Sequence, residues 1–247
     1  MKFYLGTHKP HWLGLLDIPL FVSHRTLRER VGLGHSPLKA LVGWALDSGG
    51  FTEVTKYGGW RTSEGEYIAA VYRYRDEVGK LEWASPMDWM CEPKALRATG
   101  FTVEQHQRLT LDNYRNLTRR APDLPWIPVL QGWTLMDYYC HAGMYKAEGI
   151  DLWAEPLVGL GSVCRRQGTI EVSKIIHGLG GMKLHGYGVK TTGLREYAHL
   201  LASADSMAWS LGARKNPPLP GHTHKSCANC MEFALKWRDA LLGTIQR

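Results

Sequence analysis

Short apolar segments with the alternation of β-strands recur along this chain, and longer segments with helical periodicity separate them. The strand-like segments are FYLG, IPLFVS, LEWASPMDW, PWIPVLQG, LWAEPLVGLGS and GMKLHGYGV. The helical segments are PLKALVGWAL, SEGEYIAAVYRYRDEVG, TVEQHQRLTLDNYRNLTRRAP, TLMDYYCHAGMYKAEGI and GTIEVSKIIHGLG, and LREYAHLLASA closes the series. Strands that alternate with helices in this way indicate βα units around a parallel sheet.

The repeated units predict an α/β fold, a TIM-like (β/α)8 barrel, over residues 1–212. A chain of 247 residues is long enough for one such barrel and its core. The texture changes over residues 213–247, where a Pro- and Gly-rich link and the cluster HTHKSCANC precede the helical segment MEFALKWRDALLGTI. We therefore expect a small C-terminal appendage whose helix packs on the barrel.

The composition narrows the class of partner. The apolar fraction of 44% is that of a globular protein, and the net charge of +7 favours a polyanion, with nucleic acid the leading candidate. Five scattered cysteines argue against a secreted disulfide framework and for a reducing compartment. We see no charged-then-apolar leader and no apolar run near the ~20 residues that span a bilayer. We expect a cytoplasmic protein without a membrane partner.

Polar residues and glycines follow the apolar segments where strands are predicted to end. They are Asp47, Asp88, Gln131, the GLGS of Gly159 to Ser162, the YGVK of Tyr187 to Lys190, and Asp205. In a parallel barrel these ends meet at one face, where catalytic residues lie. Two or three carboxylates there suit glycosyl chemistry, in which one is the nucleophile and another carries a proton. An amide such as Gln131 suits the edge of a purine, so the set suggests cleavage or exchange of an N-glycosidic bond.

Each of these residues also has a purely structural interpretation. Asp47 begins the turn sequence DSGGF, in which Asp and Ser bond their own backbone and Gly adopts positive φ freely. Asp88 could cap a helix, and Gln131 could satisfy loop backbone. The occurrence of six such positions at successive strand ends favours a functional site.

The motifs DSGGF, SPMDW, VLQG, GLGS, YGVKT and ADSMAW occur in this order at the spacing of barrel units. They resemble the tRNA-guanine transglycosylases and, more closely, the DpdA proteins, which place 7-deazaguanines into DNA in phages and bacteria. The resemblance runs from about Phe3 to Ser210, and FYLGTHKPHWL is similar to the phage branch. It implies exchange of guanine in DNA for a free 7-deazaguanine such as preQ0, in the host cytoplasm if the protein is phage-encoded.

Two other functions stay open at this point. One is exchange on tRNA, and the other is a non-catalytic, nucleic-acid-binding subunit of a modification complex. A hydrolase that excises bases differs from the exchange enzyme only in admitting water at the second step. A stacked guanine must be flipped out of duplex DNA, so an accessory protein or a homodimer could be needed.

The resemblance also implies a role for particular residues. Asp205 matches the aspartate that attacks C1′ of the sugar, and Asp47 matches the acidic residue credited with proton transfer. The base-binding residues implied are Phe51 and Tyr187 as the pair that sandwiches the base, Asp88 and Gln131 on the guanine-like edge, and Gly159 and Leu160 as the backbone that meets the incoming base. Candidates for phosphate contacts on the basic surface are Arg25, Arg28, Arg30, Arg119, Arg120, Arg165, Arg166, Arg214 and Lys215.

The transglycosylases carry a zinc site of the pattern Cys-x-Cys-x2-Cys with a later His. Here Cys227 and Cys230 keep the final Cys-x2-Cys, but Lys225 stands at the position of the first Cys, and no His follows. His222 or His224 could complete a tetrahedral set, since thiolate and imidazole are both good zinc ligands. The other interpretation is two free thiols in a loop. If zinc binds, we expect it to be structural.

Overall fold

The computed structural model describes residues 1–29 and 37–245. Its eight strands are β1 Lys2–Thr7, β2 Leu20–Ser23, β3 Trp44–Asp47, β4 Leu81–Ala84, β5 Val129–Leu130, β6 Val158–Leu160, β7 Leu184–Gly186 and β8 Ser203–Ser206. All pairings are parallel, in the order β4-β3-β2-β1-β8-β7-β6-β5. A single parallel bridge from Ala84 to Trp126 joins the end of β4 to the segment before β5. The sheet is therefore curled into a TIM-like barrel, as predicted.

Ten α-helices lie within the described residues. They are α1 His24–Leu27, α2 Gly50–Tyr57, α3 Glu64–Arg73, α4 Pro93–Thr99, α5 Val103–Arg120, α6 Leu135–Ala147, α7 Ile170–Gly178, α8 Thr191–Tyr197, α9 Ala208–Lys215 and α10 Met231–Ile245. Capping boxes at Ser63, Thr102 and Thr134 begin α3, α5 and α6, because each side chain accepts from a backbone N–H one turn on. The predicted helices in these regions are confirmed, and α10 coincides with MEFALKWRDALLGTI.

Two predictions about secondary structure were wrong. The segment PLKALVGWAL forms no helix: residues 37–43 are irregular, and Trp44 begins β3. Pairing across the sheet outweighs the helical spacing here, since Ala45 lies in register with Phe21 on β2 and Trp83 on β4. Strand β4 also ends at Ala84 instead of continuing towards Asp88. Pro86 has no N–H with which to extend a ladder, so SPMDW forms a loop.

Aromatic side chains fill the barrel interior below its mouth. The ring of His185 lies 4.5 Å from that of Trp83 and 5.6 Å from that of Phe21, and Tyr4 meets Trp83 edge-on at 5.6 Å. These side chains come from four different strands and face inward because successive residues of a strand point to opposite faces. The polar residues at the strand ends therefore lie above a layer of packed aromatic side chains.

The C-terminal helix packs on the outside of the barrel. The ring centroid of Trp237 on α10 lies 6.3 Å from that of Phe3 on β1, and Ala234 and Leu241 are buried. Between α9 and α10, a short 3-10 helix, Cys227–Asn229, packs with Ala213 in a small apolar cluster. Among the described residues, no helix is both long and apolar enough to cross a membrane.

Candidate active site at the barrel mouth

Asp205 lies on β8 near its carboxyl end, directly across from Tyr4 in the ladder with β1. One of its carboxylate oxygens, Oδ1, accepts a hydrogen bond from the backbone N–H of Gly188 at 2.8 Å. The same oxygen lies 3.4 Å from Nε2 of His185. The side chain retains a small exposed fraction at the mouth. Two nitrogen groups thus face one oxygen of a nearly buried carboxylate, an arrangement that stabilises its negative charge.

His185 is a site residue that the sequence analysis missed. It is fully buried on β7, and its Nδ1 lies 2.8 Å from the hydroxyl oxygen of Ser203. A hydroxyl can donate to Nδ1 and a carboxylate can only accept, so the tautomer with hydrogen on Nε2 suits both neighbours. Nε2 nevertheless makes no aligned hydrogen bond, and its contact with Asp205 is electrostatic. The alternation in GMKLHGYGV places His185 and Tyr187 on one face, but only the β7–β8 register brings His185 beside Asp205.

Asp47 is the last residue of β3 and begins the turn that leads into α2. The turn chemistry predicted for DSGGF is present, because Gly49 adopts a φ of 84°. Burial raises the pKa of the Asp47 carboxyl; hydrogen bonds from Gly49 and Ser23 act against the rise, and the charge of Asp205 adds to it. The turn therefore directs Asp47 to the same mouth as Asp205, close enough for their charges to interact.

Asp88 and Gln131 are bonded to each other. The amide Nε2 of Gln131 donates to Oδ2 of Asp88, and the Ser48 hydroxyl lies 3.3 Å from Oδ1 of Asp88. Burial raises the pKa of Asp88 to about 7, and the negative charge of Asp47 adds to the rise. Asp88 therefore changes its charge near neutral pH, where an unperturbed aspartate would be fully ionised.

Ser162 sets the orientation of the Gln131 amide. Its hydroxyl oxygen accepts from the backbone N–H of Cys91 at 2.7 Å, so its hydrogen is free to donate to Oε1 of Gln131 at 2.6 Å. The Gln131 oxygen is thereby occupied, and its NH2 group faces Asp88 with one hydrogen left for a ligand. Ser162 has a φ of 58°, which is uncommon for a residue with a side chain. A Cβ at Gly161 would lie 2.2 Å from Nε2 of Gln131, so glycine is required beside this amide.

The remaining predicted base-binding residues lie in different surroundings. Tyr187 follows β7 and shares a hydrogen bond of 2.8 Å with the hydroxyl of Ser85. A Cβ at Gly159 would meet the Tyr187 ring at 2.6 Å, so this glycine lets the ring lie against β6. The side chain of Leu160 is fully buried in the main hydrophobic core, so only its backbone is left to contact a base. Phe51 lies on α2 with an exposed ring, and the guanidinium of Arg165 lies 4.6 Å from its centroid.

The candidate phosphate-binding residues are spread over the molecule. Arg165 and Arg166 lie near the mouth, where Arg166 is 4.0 Å from the ring of Trp133. The pair Arg119 and Arg120 ends α5, and because that helix runs back from the mouth, both lie towards the opposite end of the barrel. Arg214 and Lys215 are exposed at the end of α9. Arg25 and Arg28 lie on and just after α1, and Arg30 is outside the described residues.

The four residues proposed as metal ligands come together in the appendage. One donor atom each from His222, His224, Cys227 and Cys230 lies within 4.8 Å of the others. Nε2 of His224 is 3.0 Å from Sγ of Cys227, and Nδ1 of His222 is 3.8 Å from Sγ of Cys230. The other nitrogen of His222 lies 3.1 Å from the Glu232 carboxylate, as the outer nitrogen of a metal-binding histidine commonly does. The cluster could therefore hold a metal ion.

Comparison with a family model assigns the chain to a protein family. The family model of DpdA, described as DeoxyPurine in DNA protein A, matches residues 1–247. The chain belongs to the DpdA family. Membership implies a DNA-guanine transglycosylase that acts in 7-deazaguanine modification of DNA, with DNA and a free base as substrates. The DpdA match spans the His/Cys cluster as well as the barrel. No curated protein matches the chain.

Proposed function

We propose that this protein exchanges guanine in DNA for a free 7-deazaguanine, preQ0 or a relative, through a covalent bond between Asp205 and C1′ of the sugar. The observation that carries the proposal is the placement of Asp205 at the mouth. Its carboxylate is held by the Gly188 N–H and lies beside His185, and the charge of Asp205 reaches Asp47. A double displacement at a glycosidic carbon needs one carboxylate as nucleophile and a second one that takes up and gives back a proton.

The first half of the reaction removes guanine. A carboxylate oxygen of Asp205 forms a bond to C1′ while the bond from C1′ to N9 breaks, and its electron pair passes to the purine. The departing guanine takes a proton from Asp47, which holds one readily because burial raises its pKa. Guanine then leaves, and the strand stays bound to Asp205 as an ester-like glycosyl intermediate.

The second half reverses these steps with a different base, which attacks from the face of the sugar that guanine left. N9 of the incoming 7-deazaguanine attacks C1′, its proton passes to Asp47, and Asp205 departs as a carboxylate. Asp88 accepts the N–H and amino groups of the base, and the free hydrogen of the Gln131 amide donates to its carbonyl oxygen. Tyr187 and Phe51 stack on the base, with Gly159 and Leu160 supplying backbone beside it.

The polymer is DNA, and its guanine has to leave the stack before Asp205 can reach C1′. The exposed ring of Phe51 with Arg165 beside it suits an unstacked nucleotide, because it offers an apolar face and a positive charge together. A partner protein or a second copy of the chain would assist where duplex opening limits the rate.

An exchange assay with trapping tests this proposal. Labelled guanine is supplied with single-stranded DNA, duplex DNA and tRNA in parallel, and denatured protein is examined by mass spectrometry for a strand attached at Asp205. We expect label in DNA and an adduct that Asp205→Ala lacks. Label in tRNA alone would show that the substrate is tRNA. Release of base without exchange would indicate a hydrolase. Full DNA modification by Asp205→Ala would indicate that the protein is a non-catalytic, nucleic-acid-binding subunit.

We further propose that the ion held by His222, His224, Cys227 and Cys230 is zinc, and that it stabilises the appendage, residues 213–247, as a unit on the barrel. Two sulfur and two nitrogen donors match the ligands that tetrahedral zinc prefers. Metal analysis of the purified protein should give one zinc per chain. Cys230→Ser should lower both the zinc content and the melting temperature, while Cys140→Ser, at an exposed cysteine outside the cluster, should leave both unchanged.

A further inference from the structure

A second feature lies beside the barrel mouth, on the side of β2 and β3. It is a cleft of about 440 Å³ between α1, α2 and α3. We call it the arginine cleft. Its charged and aromatic lining consists of His24, Arg25, Arg28, Glu53, Tyr57, Arg61, Glu66 and Arg73. Four guanidinium groups in one cleft, with two carboxylates, leave a net positive charge.

The two carboxylates of the cleft are already engaged. Glu53 is buried, pairs with Arg25, and accepts the backbone N–H of Arg61 at 3.1 Å through its other oxygen. Glu66 belongs to the capping box at the start of α3, where the N–H and hydroxyl of Ser63 donate to it. Glu66 keeps its negative charge, but it forms no ion pair with a guanidinium group of the cleft among the described residues, and four guanidinium groups outnumber the two carboxylates.

Three arginines of the cleft accordingly lack an acidic partner. Within the described part of the chain, the guanidinium groups of Arg28, Arg61 and Arg73 have no carboxylate oxygen within 4.0 Å. The Nε of Arg73 is buried and makes no hydrogen bond. Burial first, and then the charges of Arg28, Arg73 and Arg25, lower the pKa of His24 to about 4, so His24 stays neutral. Three guanidinium groups without an acidic partner, one of them with a buried N–H that has no acceptor, indicate a site suited to an anion.

The chemistry of the cleft selects a phosphate group. Guanidinium groups present N–H pairs that match the oxygens of a phosphate, and they bind it more strongly than they bind neutral acceptors. The ring of Tyr57 lies 4.5 Å from the Arg61 guanidinium and 5.9 Å from that of Arg25, which holds these two arginines along one wall. A phosphate in the cleft would meet donors from Arg28 at the end of α1, Arg61 in the loop after α2 and Arg73 on α3.

The cleft adjoins the turn that carries Asp47. Ser23, which hydrogen-bonds Asp47, directly precedes His24 and Arg25 of the cleft. The aliphatic part of Arg25 packs so closely on Gly49 that a Cβ there would lie 2.7 Å from its Cγ. The wall of the cleft at Arg25 therefore lies against the turn that directs Asp47 to the mouth.

We propose that the arginine cleft binds a backbone phosphate of the DNA strand, next to the nucleotide that is exchanged. The proposal rests on the function proposed above, since that function supplies the strand. It goes beyond it by assigning a phosphate subsite to Arg28, Arg61 and Arg73. Bound there, the strand is positioned by contacts that carry no sequence information.

Binding of a short, fluorescein-labelled, single-stranded deoxyoligonucleotide with one guanine tests the proposal. Arg28→Ala and Arg61→Ala remove guanidinium groups that have no acidic partner, so both variants should fold; circular dichroism confirms this. Each should weaken binding about 5- to 20-fold and lower the slope of log affinity against log salt by about 0.7. The matched control is Arg195→Ala, an exposed arginine that lies near Met1 at the opposite end of the barrel.

The outcomes separate this proposal from the proposed function. Weaker binding by the cleft variants supports the cleft even if wild-type protein exchanges no guanine. Unchanged binding and salt slope in Arg28→Ala and Arg61→Ala, with normal exchange by wild type, overturns the cleft and leaves the function. Inorganic phosphate that binds wild type but not the variants, while all bind the oligonucleotide equally, would make the cleft a site for a free phosphate and also overturn the proposal.

Discussion

The two sides of the barrel mouth hold the same chemical group, a carboxylate, in opposite surroundings. On the β7–β8 side, the Gly188 N–H and Nε2 of His185 face one oxygen of Asp205. On the β3–β5 side, burial is the main influence on Asp47 and Asp88, and the charge of Asp47 reaches Asp88. Burial raises the pKa of both carboxyls; the charge of Asp205 raises the pKa of Asp47 further, and the charge of Asp47 raises that of Asp88.

The difference shows how one residue type acquires two tasks. Nitrogen donors aimed at a carboxylate stabilise the anion, which is the form that attacks carbon. Burial beside another carboxylate favours the neutral form, which is the form that donates a proton. Neighbouring groups, and not the aspartates themselves, therefore divide the mouth into a side for the nucleophile and a side for proton and base handling.

The largest effect should come from Asp205→Asn. Asparagine keeps the size of the side chain and removes the nucleophilic oxygen, so exchange should fall by about 10³-fold or more, and no adduct should form. Oligonucleotide affinity should stay within about twofold, because the phosphate contacts remain. An adduct at any other carboxylate in this variant would contradict the assignment of the nucleophile side.

Asp47→Asn should have the next largest effect, of a different kind. Loss of the proton carrier should slow exchange by about 10²-fold while leaving oligonucleotide binding intact. The adduct at Asp205 should still form, but slowly, and this can be followed by quenching at successive times. Full activity in this variant would show that Asp47 is only a turn residue of DSGGF and does not carry the proton.

The sequence predicts this contrast only in part. Asp47, Gln131 and Asp205 can be picked out because apolar segments stop there, and parallel strands bring all their carboxyl ends to one face. The neighbours that distinguish the carboxylates come from other strands. His185 reaches Asp205 through the β7–β8 register, and Ser162 reaches Gln131 through the pairing of β5 with β6. Such contacts depend on register, which no local pattern shows.

Long-range packing also explains the other differences. PLKALVGWAL has helical spacing, yet Trp44 is buried in β3 with its Nε1 bonded to the carbonyl of Gly79 at 2.8 Å. The arginine cleft combines α1, α2 and α3 with the loop that carries Arg61, so no sequence window contains it. The His/Cys cluster is the opposite case: its four residues lie within nine positions, so their short spacing, together with the family's zinc motif, was enough to predict a possible ligand set.

Asp88→Asn tests the electrostatics of the β3–β5 side through stability. The folded pKa of Asp88, about 7, lies above the ordinary value of 3.8, so the folded protein binds the extra proton between these limits. Stability from this group is therefore present at low pH and is lost as the pH rises towards 7. Asparagine does not titrate, so the variant does not lose this stability. The melting temperature of the variant minus that of wild type should therefore be a few degrees higher at pH 8 than at pH 5. An equal difference at both pH values would show that Asp88 is ionised throughout.

The smallest effect, and the one that tests the nucleophile side most closely, should come from His185. Its Nε2 lies 3.4 Å from Asp205 without an aligned hydrogen bond, so its N–H stabilises the carboxylate modestly, by about 1.4 kcal/mol or tenfold in rate. The charge that it stabilises is lost when Asp205 attacks and returns when Asp205 departs. His185→Leu should therefore slow the second half of the exchange about tenfold, and the adduct should accumulate. His185→Gln, whose amide can still donate a hydrogen bond, should accumulate less adduct than His185→Leu. Ser203→Ala removes the hydrogen bond that orients the His185 ring, so its adduct level should lie between those of the two His185 variants. A residue that only fills the barrel would lower the melting temperature in the leucine and glutamine variants without changing the fraction of protein held as adduct.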